Sequence, residues 1–303
     1  MKSTFNLSVL PPHKFHPVKI FILLLPILFI SCKSNSFIEK KDLPLEYPYI
    51  IQDHPDFSDI EKPYDYFFIR LYNAKYKNPL YIANILQFGI QATEVNDISV
   101  SHAAFNFSLN DDFWGLSLNG GNDNLAQETC TDTSTNGYMS NVDPDKAEQI
   151  TYAIRLSKEE YTNLKNFLDE YIKKSEIRYD PFINFSIAGF SIRRKFFTPK
   201  NMQLFGNVTY LKEPKKDRQE FDPEYTKNDF VCSTFIAYAL NKNVASINQY
   251  FNEHNINYRF VNVSDIPEIP GVVKLFNSTW SEYLNSANAF VEENPEFKKY
   301  LKQ

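Results

Sequence analysis

The sequence predicts an α+β domain in which an antiparallel sheet packs against helices. Three observations carry this. Ile98 to Phe107 alternates as a strand, and the turn signal Asn110-Asp-Asp112 leads into a second apolar run, Phe113 to Asn119, so the two read as a hairpin. Ser157 and Glu160 form a capping-box pattern ahead of Tyr161, Leu164, Leu168, Tyr171 and Ile172, which share one helical face. Later, Asp229-Phe-Val-Cys-Ser-Thr-Phe-Ile-Ala-Tyr-Ala-Leu240 reads as an apolar helix opening at Cys232.

In chain order, the first element is not part of the fold. Lys14 and Lys19 precede an apolar run from Ile20 to Ile30, too short to span a bilayer but suited to the core of an export signal. Residues 1–31 are therefore expected to be removed. Residues 32–63 mix Lys, Ser, Asn, Asp and Pro without a period and read as a tether. The folded domain is expected over 64–303. Tyr66 to Tyr72 is its first strand, and Pro79 to Gly89 has helical spacing. The His102 hairpin follows. Gln127 to Gly137 is polar and reads as a loop, and Tyr152 to Leu156 alternates as a strand. Phe182 to Phe190 has helical character with Gly189 near its end, and Arg194 to Arg218 reads as an exposed insertion. Asn228 or Asp229 is placed to cap the Cys232 helix. Tyr258 to Val263 reads as a strand, and a last helix is expected from about Ser278 to Glu292.

Composition narrows the function classes. Hydrophobic residues make up 43% of the 303 residues, enough for a sizeable core. The formal charge is −5 and the basic residues are scattered, which argues against nucleic-acid binding. Residues 1–31 hold three lysines and no acid. Their removal leaves 29 basic residues against 37 acidic ones, a net −8, so attraction to anionic lipid would not hold the chain at a membrane. No phosphate-binding Gly-rich loop and no His-Glu-x-x-His motif occurs. Asn110-Asp-Asp112 and Asn122-Asp-Asn124 lack the length and closing Glu of an EF-hand loop and read as turns. No metal or cofactor is expected.

The three cysteines fall into different settings. Cys130 lies in the polar stretch. Cys232 opens a helix, where the first backbone N–H groups favour a thiolate and can donate to an oxyanion. Of the three histidines beyond residue 31, His54 lies in the tether and His254 in a polar stretch, which leaves His102 on its strand as the candidate base. A turn over Leu109 to Asp112 sets Ala104 opposite Ser117 and His102 opposite Asn119. Asn119, then Ser117, is the candidate to fix the imidazole tautomer. A Cys130–Cys232 disulfide is the competing reading, and it leaves His102 without a role.

Two short motifs carry a resemblance. Val-Ser-His102-Ala-Ala-Phe early and Asp-Phe-Val-Cys232-Ser-Thr-Phe-Ile-Ala late resemble the circularly permuted NlpC/P60, papain-like hydrolases of the YiiX-like branch, in which the histidine strand precedes the cysteine helix. Tyr152 to Leu164 and Tyr179-Asp-Pro-Phe-Ile-Asn are similar to the spacer of that family, and the likeness runs over roughly residues 64 to 275. Many relatives carry Glu or Gln in the third catalytic position. Ser31-Cys32, with Leu28 upstream, resembles a lipobox whose cysteine is lipidated after cleavage.

The resemblance implies a lipid-anchored papain-like cysteine hydrolase in the cell envelope. Its expected target is an amide bond, as in a cell-wall peptide. An ester or lipid acyl bond, hydrolysed or transferred, is the second expectation, and a non-catalytic envelope binding module on the same scaffold is the third.

Overall fold

The computed structural model describes residues 64–73, 100–116, 125–129, 142–174, 177–197 and 229–301. The expected export signal over 1–31, the lipidation site Cys32, the tether, the 79–89 helix, Ser117, Asn119, Cys130 and the 198–218 part of the insertion all lie outside the described residues.

The architecture is α+β. A six-stranded antiparallel sheet runs in the order β4-β3-β2-β1-β5-β8, built from β1 (Tyr64–Asn73), β2 (His102–Asn106), β3 (Asp112–Leu116), β4 (Leu125–Thr129), β5 (Glu148–Ser157) and β8 (Val272–Thr279). A two-stranded parallel ladder joins β6 (Arg178–Tyr179) to β7 (Asp229–Phe230). The helices are α1 (Lys158–Lys174), α2 (Pro181–Phe197), α3 (Cys232–Asn243), α4 (Ala245–Glu253) and α5 (Tyr283–Glu293).

Strand β1 is central and buried on both faces, which is why it reads as a nearly continuous apolar run rather than an alternating one. Successive side chains still point to opposite faces. Phe67, Ile69 and Leu71 face a core built with α1 and α3, while Phe68 and Tyr72 face a second core with Trp280, Tyr283 and Phe297 from the C-terminal segment. Helix α1 starts where the capping box places it. The Ser157 amide donates to Glu160 Oε2 (3.1 Å) and the Glu160 amide to Ser157 Oγ (3.2 Å), and Leu164 and Leu168 are fully buried.

Several expectations need correction. The β2–β3 hairpin pairs Ala104 with Gly115, not Ser117. The Asn106 amide donates to the Asp112 backbone oxygen (2.9 Å) and carboxylate (3.1 Å), so the turn closes early and β3 already begins at Asp112. Residues 127–129, expected in a loop, belong to the edge strand β4. Helix α2 continues past Gly189 to Phe197. Arg194 is therefore not in an exposed insertion. It is 1% exposed and donates to Asp265 at 2.8 Å.

The 258–263 stretch is not a strand. Asn257 accepts from the Arg259 amide (3.0 Å), while Asn262 accepts from the Val263 amide (2.7 Å) and its own amide donates to Asp265 (2.9 Å). These local side-chain bonds favour 3₁₀ turns over a ladder, giving Tyr258–Phe260 and Val263–Glu268. The strand instead comes after Gly271, whose φ of 81° makes the sharp turn into β8. The last helix consequently begins at Tyr283 rather than near Ser278.

Candidate active site

The chain leading into Cys232 is held by the β6–β7 ladder and by the Asp180 amide, which donates to the Phe230 carbonyl (3.0 Å). Asp229 does not cap helix α3, and Asn228 lies outside the described residues. Asp229 is engaged as a strand residue of β7, and the cap position falls to Val231, which has no polar side chain. Thr234 substitutes: its Oγ1 accepts from the Val231 amide at 3.0 Å. The Phe235 amide makes the first helical bond, to the Val231 carbonyl (3.0 Å). Ser233 Oγ donates to the Val261 carbonyl (2.8 Å), tying the helix start to the 3₁₀ segment beside it. Cys232 is thus the first residue of a well-anchored helix. Its thiol is free and 5% exposed, so the Cys130–Cys232 disulfide is not formed.

His102 opens β2 directly opposite Tyr72 of β1 and is 4% exposed. Its Nε2 lies 3.0 Å from Glu128 Oε1. A side-chain hydrogen bond joins the imidazole to Cys232. With Nε2 taken by Glu128, Nδ1 is the nitrogen left for the sulfur. A neutral imidazole so held donates from Nε2 to the carboxylate and accepts at Nδ1, the tautomer a general base for a thiol needs. Burial alone would lower the proton affinity of His102. The charge of Glu128 and the charge and hydrogen bond of Cys232 outweigh it and hold the pKa well above the usual 6.5.

The group bonded to His102 Nε2 is therefore a carboxylate on β4. The sequence reading missed it, having placed the amide or hydroxyl of the hairpin in that role. How Glu128 reaches His102 explains three other residues. Strand β3 lies between β4 and β2. Cross-strand partners share a face of the sheet, and one such row runs Arg70, Ala104, Gly115, Ala126. Beyond Arg70 this row is small, and Gly115 is open enough for the Glu128 side chain to lie across it. A Cβ on Gly115 would sit 2.6 Å from Glu128 Oε2, with Oε1 and Cδ closer still. Arg70, fully buried, extends along the same row. Its Nη2 donates to the Glu128 backbone carbonyl (2.9 Å) and its Nη1 to the Asp111 carbonyl (3.3 Å). Its guanidinium lies 4.4 Å from the Phe113 ring centroid and 5.5 Å from that of Tyr283. The Tyr72 hydroxyl completes the shell, donating to Glu128 Oε2 at 2.7 Å.

Among the described residues no cluster of three or more His, Cys, Asp or Glu side chains is arranged to hold a metal ion, and no helix is long and apolar enough to cross a membrane. Fold and site together define an α+β protein carrying a buried thiol, imidazole and carboxylate in hydrogen-bonded series. No protein-family model, curated protein or solved structure matches the chain.

Proposed function

We propose that this protein is a cysteine hydrolase of papain-like type, with Cys232 as nucleophile, His102 as base and Glu128 as orienter. The observation that carries the reading is the buried series itself. A fully desolvated carboxylate fixes one imidazole nitrogen, and the other is bonded to a thiol at a helix N-terminus. Core histidines have no need of such a partner set.

The chemistry follows from the geometry. His102 holds the thiol proton while the Cys232 sulfur attacks an acyl carbon. The Cys232 amide is one of the first N–H groups of α3, which lack intrahelical acceptors, and it is placed to bind the developing oxyanion. The imidazolium then gives its proton to the leaving group. The neutral ring takes a proton from water, and hydroxide attack on the thioester releases the acid and restores the thiol. An amide is the first substrate class, in keeping with the resemblance to cell-wall peptidases. An ester or lipid acyl group is the second, since the same steps serve it. A buried carboxylate as orienter favours this reading over the third expectation, a non-catalytic binding module. The expected lipid at Cys32 would hold the enzyme at an envelope membrane.

The test is the pH dependence of iodoacetamide alkylation at Cys232 in the full chain, with and without His102→Ala. Fast labelling at pH 6 that the substitution slows supports the reading. Slow labelling in both proteins sinks it.

A further inference from the structure

The Tyr72 hydroxyl touches no reacting atom in the scheme above, yet it holds the group that orients the base. Glu128 Oε1 faces His102 Nε2 at 3.0 Å and Oε2 accepts from Tyr72 at 2.7 Å, so each oxygen has its own donor and the carboxylate plane is fixed. The Tyr72 ring also packs on the imidazole, with centroids 4.9 Å apart, and across β1 and β2 the two residues pair directly. Tyr72 is fully buried and held edge-on by Trp280 at 5.1 Å, so its hydroxyl has no bulk water to turn to.

We infer that Tyr72 is a positioning residue of this site, which fixes the rotation of Glu128 and regulates how tightly Glu128 holds the His102 proton. The inference rests on the Cys232–His102 reading. A donor on Oε2 matters most when the carboxylate charge is uncompensated, that is, when the imidazole beside it is neutral. With Tyr72 in place the neutral ring is stabilised and the proton can be passed to a leaving group. Without it, Glu128 would be left with one donor, the imidazolium, and would clamp it. The hydroxyl thus keeps His102 able to give up its proton in a site where the charges of Glu128 and Cys232 outweigh burial and press it to stay charged.

The experiment follows the ring nitrogens of His102 by ¹⁵N NMR against pH in the full chain, assigned through His102→Ala, alongside iodoacetamide alkylation of Cys232. Tyr72→Phe keeps the ring and its packing. It is expected to move the His102 titration upward by on the order of half a pH unit or more. 3-Fluorotyrosine placed at position 72, a stronger donor, is expected to move it downward. It also serves where Tyr72→Phe folds poorly. Both shifts together, on a background of His102-dependent alkylation, support the inference. His102-dependent alkylation with a titration that neither variant moves overturns the role of Tyr72 and leaves the hydrolase reading intact. Alkylation that is slow and indifferent to His102 overturns the hydrolase reading, and the inference with it.

Discussion

Gly115→Ala tests whether Glu128 reaches His102 by the route described, because the added methyl group occupies the space the carboxylate uses. The new Cβ would lie 2.6 Å from Glu128 Oε2. Ordinary contact begins at about 3.5 Å, so the carboxylate must retreat by roughly 1 Å. The 3.0 Å bond from His102 then opens to about 4 Å, beyond hydrogen-bonding range. A buried charged group that loses its partner costs about 3–5 kcal/mol, and partial re-pairing with Tyr72 places the expected loss near the lower end, at ~3 kcal/mol. For a domain of this size that is a fall in Tm of roughly 6–12 °C. The assay is thermal unfolding followed by circular dichroism, with iodoacetamide labelling of Cys232 at pH 6 on the same samples. Labelling is expected to slow by about tenfold, since the imidazolium loses its counter-charge. Gly189→Ala is the control. A Cβ there meets nothing within 4 Å, and the site is an exposed helix interior, so stability should rise by up to about 1 kcal/mol. If Gly115→Ala melts and labels like the unaltered protein, Glu128 does not cross β3 at Gly115 and the account of the site is wrong.

Other expectations follow from the same geometry. The folded-state pKa of His102 is raised, so its contribution to stability is fully present below the usual value of 6.5 and is lost as pH rises through the folded value. Urea midpoints should therefore fall as pH rises above 6.5, and His102→Ala should flatten the slope. Glu128→Gln removes the charge but keeps the shape, and alkylation at pH 6 should drop roughly tenfold, with less loss of fold than from Gly115→Ala. Arg194→Met leaves Asp265 as a buried charge without its ion-pair partner and should cost about 3–5 kcal/mol in urea unfolding, with Asp265→Asn added to the same chain recovering part of it. Ser157→Ala removes one half of the α1 capping box and should cost about 1 kcal/mol by the same measurement.

Cys232 and His102 were legible because each sits in a strong local pattern and both residue types are scarce in this chain. The capping box of α1 was legible for the same reason: its signal is contained within four residues. What failed were features settled either by side-chain caps that compete with a strand pattern or by partners distant in sequence. Tyr258 to Val263 has strand composition, but Asn257 and Asn262 cap its backbone into 3₁₀ turns. Arg194 is surrounded by basic residues in sequence, and only its contact with Asp265, 71 residues away, shows that it is buried. Glu128 was hidden most thoroughly. On β4 the exposed position is Gln127 and the fully buried one is the charged residue, the reverse of ordinary amphipathic alternation, so the segment reads as a loop.

Two anomalies elsewhere did point to Glu128. Arg70 interrupts an otherwise apolar central strand, and Gly115 interrupts the run Phe113 to Leu116. A buried charge requires polar partners, and a glycine in a strand marks a place where another group approaches closely. Taken together they indicate a charged side chain crossing the sheet, and the four charged or ionisable groups involved (Arg70, Glu128, His102 and Cys232) are all at most 5% exposed. Apart from the thiol, no one of them could be buried there alone. The guanidinium needs the Glu128 and Asp111 carbonyls and the aromatic rings around it, the carboxylate needs Tyr72 and His102, and the imidazole needs the carboxylate. The site is thus part of the core rather than an addition to it. Substitutions at Arg70 or Gly115 must change stability and reactivity together. Removal of the Tyr72 hydroxyl or replacement of the Cys232 sulfur by oxygen leaves the packing in place, so these changes separate chemistry from folding better than any at Arg70 or Gly115.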